Sequence, residues 1–383
     1  MATHLGNQQI ARLTPLGDVL ALIKARAGPV MPHKHALAQA AGSILAKDIV
    51  ASERPAHAIA LRDGFALAAA GVADASPYSP VPLASRPQRV DAGDALPDGA
   101  DAVAQPDTIV HRGEAAEAIA PVAPGEGVLW PGGDASPRVP LRRAGERLRA
   151  LDVPVLAALG ISEATMRSPR IVVGCGSIKR TPIIDAALDM LVRAIAGAGG
   201  RARDARGEAE FFNQPLNDAD AMIAVGGTGI GRNDEAVQAL AKQGQVDVHG
   251  IAVSPGETTA FGFIKQVPVL LVPGRIDAAL AVWLLIGRHL TARLAGGGID
   301  DFSAMLPLKR KVTSAIGATE LVPVACSTGT AEPLASGYLP LTALARSNGW
   351  IVVPPESEGF AAGTPVAVRQ WPRLINQTDK HDQ

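Results

Sequence analysis

The sequence predicts a multidomain protein of the α/β and β classes. It would have a central parallel-sheet α/β domain, an inserted β-rich domain, a helical linking domain and a C-terminal β domain. Three observations predict this. At 383 residues the chain exceeds the size at which a single core usually stops growing. Between about 168 and 298, unbroken apolar runs alternate with helical patterns, as in a parallel sheet covered on both faces. Elsewhere the texture alternates between helical periodicity and short apolar pieces set among Pro, Gly and Asp.

In chain order, LTPLGDVLALIKA and HKHALAQAAGSILA within residues 11–47 carry helical spacing and need a packing partner to be stable. From about 50 to 140, stretches such as PDGADAVAQPDTIV and APGEGVLWPGG read as short strands and turns. At 141–166, LRRAGERLRALDVPVLAALGI returns to helical periodicity, which makes the β-rich part an insertion. The expected domains are therefore 1–48 with 141–167 (linking), 49–140 (inserted, β-rich), 168–303 (α/β) and 304–383 (C-terminal β).

In the α/β region, RIVVGC (170–175) has a buried-strand pattern, and IIDAALDMLVRAIAGAGG follows as a helix closed by glycines. Then come the strand AMIAVGG, a helix over about 234–242, the strand PVLLVPG and the long helix IDAALAVWLLIGRHLTARLAGG. Beyond 304, GATELVPVAC, GWIVVPPE and GTPVAVRQW read as short strands.

Composition narrows the function classes. A net charge of −1 and 3% aromatic residues argue against a nucleic-acid surface built on bulk charge or base stacking. The two cysteines, Cys175 and Cys326, are far apart and outside any zinc or disulfide framework, which fits a reducing cytoplasm. No apolar leader opens the chain, and no charge-free window spans a membrane, so the expected protein is soluble and cytoplasmic.

In an open α/β sheet the ligand crevice lies at the carboxyl ends of the strands. Three loops fall there: GCGSIKRTP (174–182), GGTGIGRND (226–234) and PGRIDA (273–278). The middle loop offers successive backbone N–H groups before a helix, an arrangement that stabilises a phosphate; its glycines could equally serve only a tight turn. It matches neither a Walker loop nor a full dinucleotide fingerprint. Lys179, Arg180, Arg232 and Arg275 lie in these loops and could meet an anion, although each alone reads as a solvated charge. Asp218, Asp220, Asp234, Glu235 and Asp277 are the nearby carboxylates, with Asp234 equally readable as a helix cap. Asp63 and Gly64 in IALRDGFAL read as a turn, and His249 as a structural residue.

Taken in order, these segments resemble the molybdopterin molybdenumtransferase family, the MoeA and gephyrin E-domain proteins. RDGFAL is similar to that family's MDGYA, DAGDALPDGADAV to TGAPLPxGADAV, and GGTGIGRND to GGVSVGxxD. HGIAVSPGETTAFG is similar to a stretch ending in PGKPxxFG, PVLLVPGRIDAAL to PVFGLPGNPVSAL, and LARSNGWIVVPPESEGFAAGTPVAV to the C-terminal domain. The resemblance covers nearly the whole chain and implies an elongated homodimer of four subdomains per copy. It implies that adenylylated molybdopterin and molybdate, with a magnesium ion, give molybdenum cofactor and AMP. Molybdoenzymes or other cofactor-biosynthesis proteins are the implied partners.

By position, the resemblance implies catalytic roles for Asp63, supplied to the partner subunit's site, and for Asp220 and Asp234, the last two also as metal ligands. It implies ligand binding by Gly226, Gly227, Thr228, Gly229 and Gly231 of the matched loop, and Ser177, Lys179 and Arg275 in the flanking loops are the further candidate ligand-binding residues of this chain, the last two as replacement cations. Three departures accompany this. The family's GDEL is Gly176-Ser177-Ile178-Lys179, with a metal-facing Glu replaced by Ile178. KPGKP is Ser254-Pro255-Gly256-Glu257-Thr258, a lysine replaced by an acid, and PGNP is Pro273-Gly274-Arg275-Ile276. Glu in place of Lys reverses an interaction with phosphate. Two readings follow: a divergent molybdenumtransferase, or a relative that binds molybdopterin or finished cofactor without inserting metal. A nucleotide-dependent oxidoreductase ranks third, because its fingerprint is absent.

Overall fold

A computed structural model describes residues 10, 12–113, 115–177, 179–208, 211–213, 218–231, 234–299 and 301–371. Two compact units emerge: residues 48–143 with 155–161, and the remainder of the chain. Ile178 and Arg232 lie outside the described residues.

In the smaller unit, Pro and Gly turns keep the strands at two to four residues. Gly64–Leu67 forms the centre of an antiparallel sheet between Gln88–Val90 and Ala102–Ala104. A second sheet joins Val81–Pro82, Ala115–Ala118 and Ile109–Arg112. Small side chains such as Ala69, Ala102, Ala104, Ala116 and Ala118 let them share a core with Val72 and Ile109. Gly64 is required by proximity, since a Cβ there would stand 2.2 Å from the Ala104 carbonyl oxygen.

The linking segments depart from their helical periodicity. LGDVLALIKAR does form a helix, Leu16–Arg26, with Asp18 in its first turn and Lys24 and Arg26 in its last, as the helix dipole favours. HKHA instead forms a strand, His33–Ala36, antiparallel to Glu163–Arg167, and the helix after it shrinks to Leu37–Ala40. In 141–166 only Asp152–Ala158 is helical. The preceding backbone is drawn off by pairing: Leu45 N–H donates to Glu146, Gly145 to Leu45, and Leu148 to Ser43. Short helices are marginal, so these ladders override local propensity.

The larger unit centres on six strands: β1 (Arg170–Cys175), β2 (Arg201–Asp204), β3 (Ala221–Val225), β4 (Gln245–His249), β5 (Ala260–Ile264) and β6 (Val267–Val272). Their order is β2-β1-β3-β6-β5-β4. The first four in that order are parallel, while β5 runs antiparallel to both β6 and the edge strand β4. The expected all-parallel sheet thus carries an added hairpin edge, a common variation on this architecture.

Alternation divides the apolar strands between two cores. Ile171, Val173, Ile223, Val225, Leu270 and Val272 face one side, with helices α1 (Pro182–Gly197) and α3 (Ile276–Val282). Val172, Met222, Ala224, Val269 and Leu271 face the other, with α2 (Ala236–Gln243). Each such large aliphatic side chain contributes about 1.5–3 kcal/mol on full burial. Helix α1 begins where Thr181 caps the Ile184 N–H and Pro182 takes the first turn, and it buries Ile184, Leu188, Leu191 and Ile195 along one stripe.

The apolar run after β6 is a single helical path, Ile276–Ala295, long and apolar enough to cross a membrane, but its Val282, Trp283, Leu284 and Ile286 are core residues. A π-turn at Trp283–Gly287 interrupts it, with Gly287 lying against the Trp283 ring. The C-terminal sheet runs Val253–Ser254, Thr319–Ser327, Gly349–Val353, Pro365–Gln370, Ser303–Pro307. Its first strand leaves the α/β region to pair in parallel with Thr319–Glu320, which sets Ser254 opposite Glu320.

Candidate functional site

Strands β1, β3 and β6 release their chains at one edge, and the three glycine-containing loops meet there. The ladders continue past the strands: Gly176 N–H donates to the Val225 carbonyl (2.9 Å) and Gly226 N–H to Val272 (2.7 Å). Gly226 and Gly227 have φ of 87° and 76°, a left-handed pair that side-chain-bearing residues rarely adopt. Space is equally restrictive, since a Cβ on Gly227 would stand 2.3 Å from the Gly176 carbonyl oxygen. The loop is therefore specified both by conformation and by contact with the β1 loop.

Asp234 closes the loop. Ser177 and Asp234 form an antiparallel bridge, and Asp234 Oδ2 accepts from the Gly231 N–H at 2.8 Å. Cβ atoms at Gly229 and Gly231 would both fall within 3 Å of that oxygen. The carboxylate therefore turns back into the loop and does not cap α2, whose N-cap residue is Glu235 and has no side-chain cap. Thr228 is buried; its Oγ1 lies 2.9 Å from Thr258 Oγ1, and its carbonyl lies 3.1 Å from His249 Nε2. His249 thus holds the loop, a structural part.

Two of the cations are held by neighbours. Arg180 Nε donates to Asp185 Oδ1 at 2.5 Å. Arg275 Nε donates to Asp277 Oδ1 at 3.1 Å, with a second bond from Nη2 to Oδ2, and its guanidinium lies over the Tyr338 ring. The hydrogen bond to Asp277 raises the Arg275 pKa above its ordinary value despite partial burial. Asp277 is only 3% exposed and also accepts the Leu339 N–H, so it fixes this guanidinium and the C-terminal domain at once. Lys179 is exposed and makes no hydrogen bond or ion pair among the described residues. Burial pushes the Cys175 thiol above its ordinary value, partly offset by its contact with the Ser177 carbonyl and by the Arg180 charge.

Asp220 lies elsewhere. It precedes β3 at the amino edge of the sheet, accepting from the Arg170 N–H (2.7 Å) and Nε (3.4 Å). The length of β3, roughly 16 Å of strand, separates it from the glycine loop. Strand direction carries Asp220 and Asp234 to opposite edges of the sheet, so the two carboxylates expected to share a magnesium ion are not brought together within one copy. No group of three or more His, Cys, Asp or Glu side chains is placed to hold a metal ion among the described residues. This donor set does not fit a protein-built magnesium site. Asp63, in the smaller unit, is exposed and accepts the Ala92 N–H at 2.8 Å, tying the RDG turn to the DAGD loop.

Beside the crevice, a cavity of about 560 Å³ lies between the Ser254–Glu257 segment and the C-terminal β domain. Glu257, Glu320, Thr313, Ser314 and Ser336 contribute its polar lining. Sequence reasoning flagged Glu257 only as a lost lysine and missed Glu320. The signal available was an acidic residue inside the apolar strand TELVPVAC, a pattern that marks a buried charge with a purpose.

Comparison with known proteins agrees with this architecture. Residues 14–160 match the model of the MoeA N-terminal region (domain I and II), and residues 305–371 that of the MoeA C-terminal region (domain IV). The chain is 30% identical over 324 residues to molybdopterin molybdenumtransferase 1 of Mycobacterium tuberculosis, covering 73% of each protein. It is 26% identical over 391 residues to the molybdopterin molybdenumtransferase of Synechococcus elongatus, covering 89% of this chain and 95% of the relative. A crystal structure of the molybdopterin biosynthesis MoeA protein of Pyrococcus horikoshii superposes with a TM-score of 0.77 at 22% identity, over 94% of this chain and all of that one, so the fold is shared. By these matches at both ends and along most of its length, the chain belongs to the molybdopterin molybdenumtransferase (MoeA) family.

Proposed function

We propose that this chain takes adenylylated molybdopterin at the carboxyl edge of its central sheet and acts in molybdenum cofactor biosynthesis as a molybdenumtransferase, molybdate entering the dithiolene and AMP leaving. The observation that carries this reading is the glycine loop. Its two left-handed glycines and its bridge to Ser177 lie where β1, β3 and β6 end, beside the 16-residue helix α1. Helix α1 and Lys179, which has no ion pair among the described residues, favour the anionic pyrophosphate link. Thr228 orients the loop, and Asp63 acts from a second copy in a homodimer. Asp234 holds the loop closed, and no step is assigned to a magnesium ion.

A second reading, a family member that holds molybdopterin or finished cofactor without inserting metal, is supported by the paired cations. Arg180 and Arg275 are occupied by Asp185 and Asp277, and Glu257 stands where the family carries Lys. Such pairing leaves less positive charge for a developing phosphate charge. The test is to incubate the purified protein with adenylylated molybdopterin, molybdate and magnesium and to measure AMP and cofactor. AMP release in step with cofactor formation supports the transferase. Tight binding without AMP supports the second reading, and no binding overturns both.

A further inference from the structure

The cavity beside the glycine loop has the opposite charge character to a phosphate site. Its lining includes Glu257 and Glu320 and contains no Lys or Arg among the described residues. Glu320 is 3% exposed, and its Oε1 accepts the Gly337 N–H at 2.6 Å, which fixes the carboxylate in place. Its Oε2 accepts no hydrogen bond from the described residues, and Glu320 is one of the residues that line the cavity. Glu257 is held by its own backbone, through Gly256 N–H at 3.1 Å. Leu13 and Ile316 add apolar wall. A flat heterocycle with N–H donors along one edge suits such a lining: apolar contact for its faces and a fixed, desolvated acceptor for its edge.

We infer that Glu320 reads the donor edge of a pterin, its ring N3–H and 2-amino group, while Glu257 keeps anions out of the same cavity. The inference rests on the proposed reading of the ligand as a pterin. The Thr228–Thr258 hydroxyl pair, 2.9 Å apart, ties the glycine loop to the segment that carries Glu257. Arg275 lies within electrostatic range of Glu257. The site is thus polar along its length, with cations and helix N-terminus toward the phosphate and carboxylates toward the ring. The lysine-to-glutamate exchange at position 257 then acts as a selector, repelling free phosphate and molybdate from the ring cavity.

Fluorescence titration of the full chain with pterin, and with lumazine, tests this. Lumazine has a carbonyl in place of the 2-amino group. The unaltered protein is expected to bind pterin about tenfold or more tightly than lumazine, the usual consequence of removing a donor from a buried acceptor. Glu320→Gln places an amide donor where Oε2 stands and is expected to reverse the preference toward lumazine. That gain of binding is one that a merely unfolded variant cannot give. Equal affinities for the two in the unaltered protein, no reversal in a Glu320→Gln protein of unchanged melting temperature, or displacement of pterin by magnesium alone would each overturn the inference. AMP release from adenylylated molybdopterin scores the parent reading separately. AMP without a pterin preference overturns this inference alone, and a pterin preference without AMP retains it.

Discussion

Asp234 illustrates what a single residue's position in the sequence leaves open. The spacing GGTGIGRND placed it correctly between loop and helix, but a carboxylate there can turn forward to cap the helix or backward into the loop. The choice depends on Gly229 and Gly231, whose bare Cα atoms admit Oδ2, and on the bridge to Ser177 in the loop after β1. Asp234→Ala should therefore cost about 1 kcal/mol in urea unfolding, while Asp234→Asn, whose amide oxygen can still accept from Gly231, should stay close to the parent. Equal damage from both would mean that charge, not loop closure, is its contribution. Asp63 admits the same separation. Asp63→Asn keeps an acceptor for the Ala92 N–H, so stability should hold while AMP release falls. Asp63→Ala should lose both. Full turnover in the Asn variant would reduce Asp63 to a turn residue.

Among the elements, legibility followed apolar patterning. Strands β1, β3 and β6 are unbroken apolar runs and were readable, as was α1 with its Thr-Pro start. Strands β4 and β5 were not. QVDVH is half polar, and AFGFI has a glycine at its centre; their pairing depends on a bulge at Val246–Val248 that no local pattern announces. The HKHA strand was likewise hidden, because its partner lies about 130 residues away. The glycine loop offers the test at this scale. Gly227→Ala meets both a φ of 76° and a carbonyl oxygen 2.3 Å from the new Cβ, so a loss of about 2 kcal/mol or more is expected from thermal unfolding. A change under about 0.5 kcal/mol, the range of ordinary surface substitutions, would show that the β1 and β3 loops are not held together.

At the scale of the whole larger unit, what sequence periodicity cannot show is how the α/β region is joined to the C-terminal sheet. Beside the apolar core that Leu321, Leu339 and Trp350 share with the α/β region, the described residues join the two through the Val253–Ser254 strand beside Thr319–Glu320, the buried Asp277 beneath Leu339, and a cluster around Asp301. Asp301 accepts from Arg288 Nη2 (2.5 Å) and Arg369 Nε (3.2 Å), and both guanidinium groups lie beside the Trp350 ring. Each residue alone reads as a surface charge in the sequence; only the fold brings them onto one indole. Burial pushes the Asp301 carboxyl up, but the Arg288 hydrogen bond and the two positive charges outweigh it and leave the group below its ordinary value. A carboxyl depressed in the folded state contributes stability that is fully present above its unfolded value and is lost as pH falls through the folded one. Asp301→Asn should therefore lower stability by about 1 kcal/mol near pH 7, a figure already reduced for the solvent exposure of the carboxylate. The gap between parent and variant should stay constant down to about pH 5 and narrow below about pH 4. Thermal melts followed by tryptophan fluorescence read this directly, because Trp350 sits at the seam; a gap that does not change with acidification would remove Asp301 from the account of how the domains are joined.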